Sequence, residues 1–226
     1  TKNTKVIAIP HIISVYGTVM PVKEICTFAR EKGIFTVIDG AQSIGQIDVD
    51  LKDLNCDAYY SSLHKWFLSP PGSGLLYLDK SISEDIWPTL SSYNWDNKED
   101  KGFSLQQSGT GNPSLRVGLE ASIDFFNMIG KDRWLGRVKE LGKYLRDGLK
   151  ELPNVEIVSS HNEELCAGLT TYKVDGLTGP ELQKTLWDRE RLQPRSVGKD
   201  LMRHSVHIYN QKSEIDKTFD IINSLS

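Results

Sequence analysis

Cysteine is scarce in this 226-residue chain, and the three present, Cys26, Cys56 and Cys166, stand apart from one another. An odd number with no short metal-type spacing supports neither a disulfide framework nor a structural zinc site, so each reads as a small buried hydrophobe. Excess charge is also missing: 27 Lys and Arg against 30 Asp and Glu leave a net charge of −3 and a pI near 6.0. That balance offers no basic footprint for nucleic acid or an anionic membrane, and it directs attention to small molecules or a second copy of the chain. No apolar run reaches the length of a membrane span, and the polar opening TKNTK lacks the apolar core of a signal peptide. A reducing, cytoplasmic setting is therefore expected. A nucleotide-binding glycine loop is absent too, because the turn Ser69 to Gly74 runs into the apolar stretch Leu75 to Leu78 and not into a helix.

With 38% hydrophobic and 25% charged residues, the chain can bury a sizeable core in one or two domains. Val6 to Ile9 reads as an interior strand, and since Thr1 is no start methionine, a preceding segment is expected. Pro10, Gly17 and Pro21 punctuate the loop that follows, which carries His11 and Ser14. A helix opens at Pro21, with Ile25, Phe28 and Ala29 as its buried stripe and Gly33 as its end. Phe35 to Ile38 is the next strand, so strand, helix and strand make a right-handed βαβ unit.

Two apolar runs end on polar groups. The run ending at Ile38 delivers Asp39 and, three residues later, Gln42; the run Ala58 to Tyr60 delivers Ser61, Ser62, His64 and Lys65. Carboxyl ends of neighbouring parallel strands face one crevice, so a carboxylate, an amide, hydroxyls, an imidazole and an amine can converge there. Pyridoxal phosphate asks for such a set: an amine to bind it covalently and a carboxylate to keep its ring nitrogen protonated. Lys65 and Asp39 supply that couple. DGAQ, then an amphipathic segment ending in CDAYY, then S-x-H-K and SPPGSG resembles the class V branch of the fold-type I aminotransferase family. That branch holds isopenicillin N epimerase-like proteins, cysteine desulfurases, selenocysteine lyases and other C–S lyases.

The resemblance implies an α/β fold like that of aspartate aminotransferase, with a mostly parallel sheet in a large domain and a smaller carboxyl-terminal α/β domain. It implies pyridoxal 5′-phosphate as cofactor, held covalently by Lys65, with Asp39 at the ring nitrogen, Gln42 at the phenolic oxygen, and Ser62 and His64 at the phosphate. Ser14 stands where desulfurases commonly have asparagine and epimerase-like members a small hydroxyl. Thr110, in the turn Gly109 to Pro113, implies a homodimer with shared sites, because in relatives this threonine reaches the partner's cofactor. Arg203, followed by Ser205 and the run His207 to Asn210, matches the motif whose arginine receives a substrate carboxylate; Arg195 is a second candidate. Desulfurases place a thiolate shortly before that motif, and Arg191 to Met202 contains no cysteine.

The remainder of the large domain is expected over residues 1–131 and the small domain over 132–226. Asp79 to Phe103, with Trp87, Tyr93 and Trp95 among charges, reads as a surface excursion. Core positions are expected at Leu119, Ile123 and Phe126 on one helix and at Val138, Leu141, Leu145 and Leu149 on the next. The expected function is chemistry at the α-carbon of an amino acid, with epimerase or aminotransferase activity, and C–S β-elimination as the alternative. A non-catalytic binding module on the same scaffold competes with both. A metal-dependent hydrolase built on His204 and His207 is the weakest reading, since no carboxylate ligand is near them in sequence.

Overall fold

The structure, a computed structural model, describes residues 1–225. Its first sheet is four-stranded in the order β1 (Val6–Pro10), β2 (Phe35–Asp39), β3 (Ala58–Ser62), β4 (Gly74–Leu78). The first three strands run parallel and β4 runs antiparallel to β3. Register sorts the side chains by face: Val6, Ala8, Val37, Asp39, Tyr60 and Leu76 share one, while Ile38 and Tyr59 lie on the other.

Helix α1 (Val22–Glu31) covers the Ile38 face by burying Val22, Cys26 and Ala29. The expected stripe is therefore corrected: Phe28 is exposed, because the rotation that seats Val22 and Cys26 turns it outward. The helix closes on Gly33 (φ +63°), where Ile34 N–H reaches the Ala29 carbonyl and Gly33 N–H that of Arg30, a Schellman arrangement that satisfies the last carbonyls. On the opposite face Val6 and Leu76 are exposed, and β1 is an edge strand of this sheet.

A short helix α2 (Leu51–Leu54), capped by Asp50, links β2 to β3. After β4 comes the polar, aromatic excursion, closed by α3 (Lys101–Gln106). Asn112 caps α4 (Pro113–Ile129), and Gly130 (φ +89°) turns the chain into α5 (Lys131–Lys150). Along α5, Trp134, Val138, Leu141, Leu145 and Leu149 form a continuous buried stripe. On α4 only Ser122 is buried; Ile123 is exposed rather than in a core, together with Val117, Phe125 and Met128.

The second sheet is antiparallel, in the order β5 (Val155–Ile157), β6 (Leu169–Val174), β8 (Leu201–Ser205), β7 (Arg195–Val197). Helices α5, α6 (Gly179–Glu190) and α7 (Lys212–Asn223) share one apolar core with it. Helix α6 starts on a capping box between Thr178 and Glu181. A third cluster, Ile12, Trp66, Trp134, Val138 and Leu169, joins the two sheets' surroundings. Polar clips reinforce that join. Thr171 Oγ1 donates to the Val15 carbonyl at 2.5 Å, Ser159 Oγ to that of Tyr16 at 2.6 Å, and Val19 N–H to that of Leu165 at 2.9 Å.

Candidate active site

A cavity of about 1030 Å³ opens where the carboxyl ends of β1, β2 and β3 meet β7 and β8. Ser14, Asp39, Gln42, His64, Lys65, Arg195 and Arg203 all line it. Parallel strands carry Asp39 and the Ser62–Lys65 turn to the same sheet edge, which is why residues some 25 apart in sequence share one wall.

Asp39 ends β2 and accepts Ala41 N–H on Oδ1 at 2.8 Å, an Asx-type turn that sets the DGAQ loop. Its own backbone carbonyl accepts His11 N–H at 2.8 Å. Beneath the loop, Tyr59 fills the space under Gly40, where any Cβ would overlap the phenol ring. The His11 ring meets the Tyr59 hydroxyl at 3.0 Å and is buried, so desolvation lowers its pKa to about 4. His11 is thus a neutral structural histidine. Burial first, and then the Asp39 carboxylate, hold the Tyr60 phenol above its usual range.

Lys65 is exposed to the cavity and forms no ion pair among the described residues. Gln42 is oriented on two sides: its side-chain oxygen accepts the Trp66 indole N–H at 2.8 Å, and its carbonyl accepts Gln46 Nε2 at 2.5 Å. Arg203 donates from Nη1 to the Ser14 carbonyl at 2.6 Å, while its Nε is buried without a partner. Burial, then the charge of Arg195, lower its pKa. Arg195 is its register partner across β7 and β8, so two guanidinium-bearing positions stand side by side. Among the described residues neither forms a salt bridge, an arrangement that disfavours itself unless an anion joins it.

Two of the expected residues do not line this cavity, Thr110 being one that the resemblance assigns to the partner's cofactor. Ser62 pairs with Gly74 at the end of β3 and does not line the cavity, and Thr110 is exposed in the turn before α4. Tyr60, Trp66, Ser205, His207 and Tyr209 line it, although the sequence pattern assigns them no place there. For His207 and Tyr209 the available signal is their place in the run His207 to Asn210; for Tyr60 it is the alternation along β3.

The histidine couple separates. His204 is enclosed against the Tyr172 hydroxyl at 3.1 Å, whereas His207 Nε2 meets the Trp66 carbonyl at 3.0 Å. Among the described residues no cluster of His, Cys, Asp and Glu could hold a metal ion. All three cysteines are free and buried, with burial raising their thiol pKa values, that of Cys56 to about 11. None lines the cavity. Among the described residues no helix is long and apolar enough to cross a membrane.

Comparison with known proteins agrees with this geometry. Residues 1–218 match the family described as Aminotransferase class-V. Isopenicillin N epimerase of Streptomyces clavuligerus is 30% identical over 99% of this chain and 61% of its own length. Cysteine desulfurase of Haloferax volcanii is 27% identical over 98% of this chain and 56% of its own. The chain therefore spans about three-fifths of the length of these relatives. Among solved structures, the apo cysteine desulfurase from Thermococcus onnurineus superposes with a TM-score of 0.87 at 25% identity, over 99% of this chain and 60% of that one. The cystine C–S lyase C-DES, in complex with cysteine persulfide, shares the fold with a TM-score of 0.88 at 24% identity, over 98% of this chain and 61% of that one.

Proposed function

The chain belongs to the aminotransferase class-V family, and from that premise we propose that it uses pyridoxal phosphate to carry out chemistry at the α-carbon of an amino acid. The observation that carries this reading is the single cavity that gathers an amine, a carboxylate, an amide donor and an arginine with no acidic partner. That donor set matches what the cofactor and an amino-acid substrate need together. When bound, pyridoxal phosphate supplies a conjugated ring that draws electrons from the α-carbon of an attached amino acid.

Asp39, fixed at the mouth of β2 by the Ala41 N–H on Oδ1, would be the carboxylate that keeps the ring nitrogen protonated. Lys65 is the amine that would hold the cofactor covalently, and its position in the cavity suits it to act as the base at the α-carbon. Gln42 donates from its amide. Arg203 would receive the substrate carboxylate, its guanidinium oriented by the Nη1 bond to the Ser14 carbonyl. His64 is the phosphate-side donor within the cavity; Ser62 and Thr110 complete that role only if the full assembly brings them to it.

Epimerisation or amino transfer is the first reading, in line with the epimerase relative. C–S β-elimination is the second, since relatives named cysteine desulfurase also match. A persulfide route through a protein thiol is disfavoured, because Arg191 to Met202 has no cysteine and the three that exist are buried away from the cavity. A homodimer is proposed as well, supported by the exposed Thr110 turn and the exposed apolar side chains Val117, Phe125 and Met128 of α4. The buried, reduced cysteines suit a reducing compartment such as the cytoplasm.

The test is an absorption spectrum of the intact protein with pyridoxal phosphate before and after borohydride, then peptide mapping. A visible band trapped on Lys65 is the expected result, and Lys65→Ala removes the trapped product while the protein stays folded. Trapping on another lysine would reassign the role. No band in a folded, intact protein would favour the non-catalytic module.

A further inference from the structure

Trp66 follows the lysine directly, and aromatic residues at such positions normally serve packing. Its contacts here go further. The indole Nε1–H, which can only donate, points at the side-chain amide of Gln42 at 2.8 Å. An amide facing a pure donor must present its oxygen, so the direction of the Gln42 side chain follows from chemistry and not from an arbitrary choice between nitrogen and oxygen. Its NH2 group is left without a hydrogen-bond partner among the described residues, on a side chain that lines the cavity.

The carboxyl-terminal half holds Trp66 in turn. His207 stacks on the indole at 5.4 Å between centroids and 16° between planes, and Tyr209 stacks on His207 at 4.8 Å and 12°. Ile208 N–H donates to His207 Nδ1 at 2.8 Å, so the ring proton sits on Nε2 and is donated to the Trp66 carbonyl at 3.0 Å. Gly168 leaves room for the indole, since a Cβ there would lie 2.9 Å from its tip. Gln46 bridges the Gln42 carbonyl to Gly168 N–H, at 2.5 and 2.7 Å, and so ties the DGAQ loop to the same half of the molecule.

We propose that Trp66 is a positioning residue that fixes the Gln42 amide with its NH2 group turned into the cavity, making Gln42 a hydrogen-bond donor, and never an acceptor, towards an oxygen of the ligand. The His207 and Tyr209 stack keeps Trp66 in that place. Sequence position assigns Trp66 no such part, and the effect is exerted through Gln42 and not on the ligand itself.

Two readouts test this, and only the second rests on the cofactor reading above. In the 15N-labelled intact protein, Gln42→Leu should move the assigned Trp66 indole N–H resonance upfield and speed its exchange with solvent about tenfold; an unmoved resonance overturns the proposal. In the protein loaded with pyridoxal phosphate, Trp66→Phe keeps an aromatic ring at the stack and removes the donor. The pH midpoint of the visible band should then shift by about one unit, the size of one hydrogen bond, in the same direction as in Gln42→Leu. The double variant should shift no further. A midpoint unmoved by Trp66→Phe, whether or not Gln42→Leu moves it, overturns the proposal, as does a fully additive double variant. Should no visible band form even without substitution, the cofactor reading fails while the resonance still decides the role of Trp66. Should Trp66→Phe fail to fold, the Gln42→Leu resonance likewise decides it.

Discussion

Arg203 is tethered at one end only. Nη1 is committed to the Ser14 carbonyl, Nε is buried without a partner, and Arg195 stands opposite with the same charge. A lysine at this position would keep the charge and lose the planar fork. Arg203→Lys is therefore expected to raise KM for carboxylate substrates about tenfold or more, with little change in thermal stability, in line with the loss of one charge-assisted hydrogen bond. An unchanged KM in steady-state kinetics would make Arg203 a structural residue. Gly40 is constrained differently, since the Tyr59 ring occupies the space of a side chain. Gly40→Ala should destabilise the protein by roughly 1–3 kcal/mol through overpacking. It should also weaken cofactor binding, because displacing Tyr59 disturbs His11 and, through its N–H, the Asp39 carbonyl. Denaturant unfolding and a cofactor titration check the two effects separately.

Among the elements, helix α5 shows how one segment serves both halves. Its Trp134 donates from Nε1 to the Gly45 carbonyl at 2.8 Å behind the DGAQ loop, and its later turns enter the second core. Arg146 on the same helix is fully buried, doubly bound to Glu163 at 3.2 and 2.7 Å and to the Ala167 carbonyl at 2.8 Å. Removing the guanidinium leaves the Ala167 carbonyl without its donor and a void in a fully buried place, so Arg146→Ala should cost about 2–5 kcal/mol in denaturant unfolding. A cost near zero would mean that water replaces the guanidinium. The apolar stripe of α5 is legible in the sequence because its spacing is helical and its burial is nearly complete. That of α4 is not: Leu119, Ile123 and Phe126 have the same spacing, yet Ile123 faces outward. Periodicity reports an apolar face and says nothing of what meets it.

At the scale of the whole molecule, acid acts through several groups in one direction. Burial lowers the pKa of His11 and His204 to about 4, and that of His207 to a lesser degree. Unfolding lets these rings take up protons at their ordinary value near 6.5, so the unfolded state binds more protons and stability falls as pH drops below about 6.5. The loss continues to about pH 4, where the folded rings begin to titrate. Glu163, whose pKa is lowered chiefly by its hydrogen bond to Arg146, adds a loss of the same sign as pH falls through the carboxylate range. Melting temperatures measured from pH 7 to pH 4 should decline steadily, with a flat profile ruling out neutral burial of these histidines. His204→Asn or another neutral isostere should shallow the decline.

Most of the fold, and the chemical identity of the groups at the site, are written in the sequence by itself. The βαβ order, the turn residues and the strand ends carrying Asp39 and Lys65 follow from local patterning, because strands, caps and glycine turns are specified by neighbours in the chain. The identity of the candidate groups follows from the same stretches, since an amine, a carboxylate and an arginine in that sequence context have few joint uses. Tertiary structure alone decided which of them meet. It brought Arg195 and Arg203 over the sheet edge, left Ser62 and Thr110 outside the cavity, and set Trp66 between Gln42 and His207. Those outcomes depend on the clips from the Val15 to Val19 loop to the carboxyl-terminal half and on the cluster around Trp134, contacts between residues distant in the chain, 89 positions for Trp134 and Gly45. Local patterning carries no record of such distant packing, because the same strand or turn can be built against many partners.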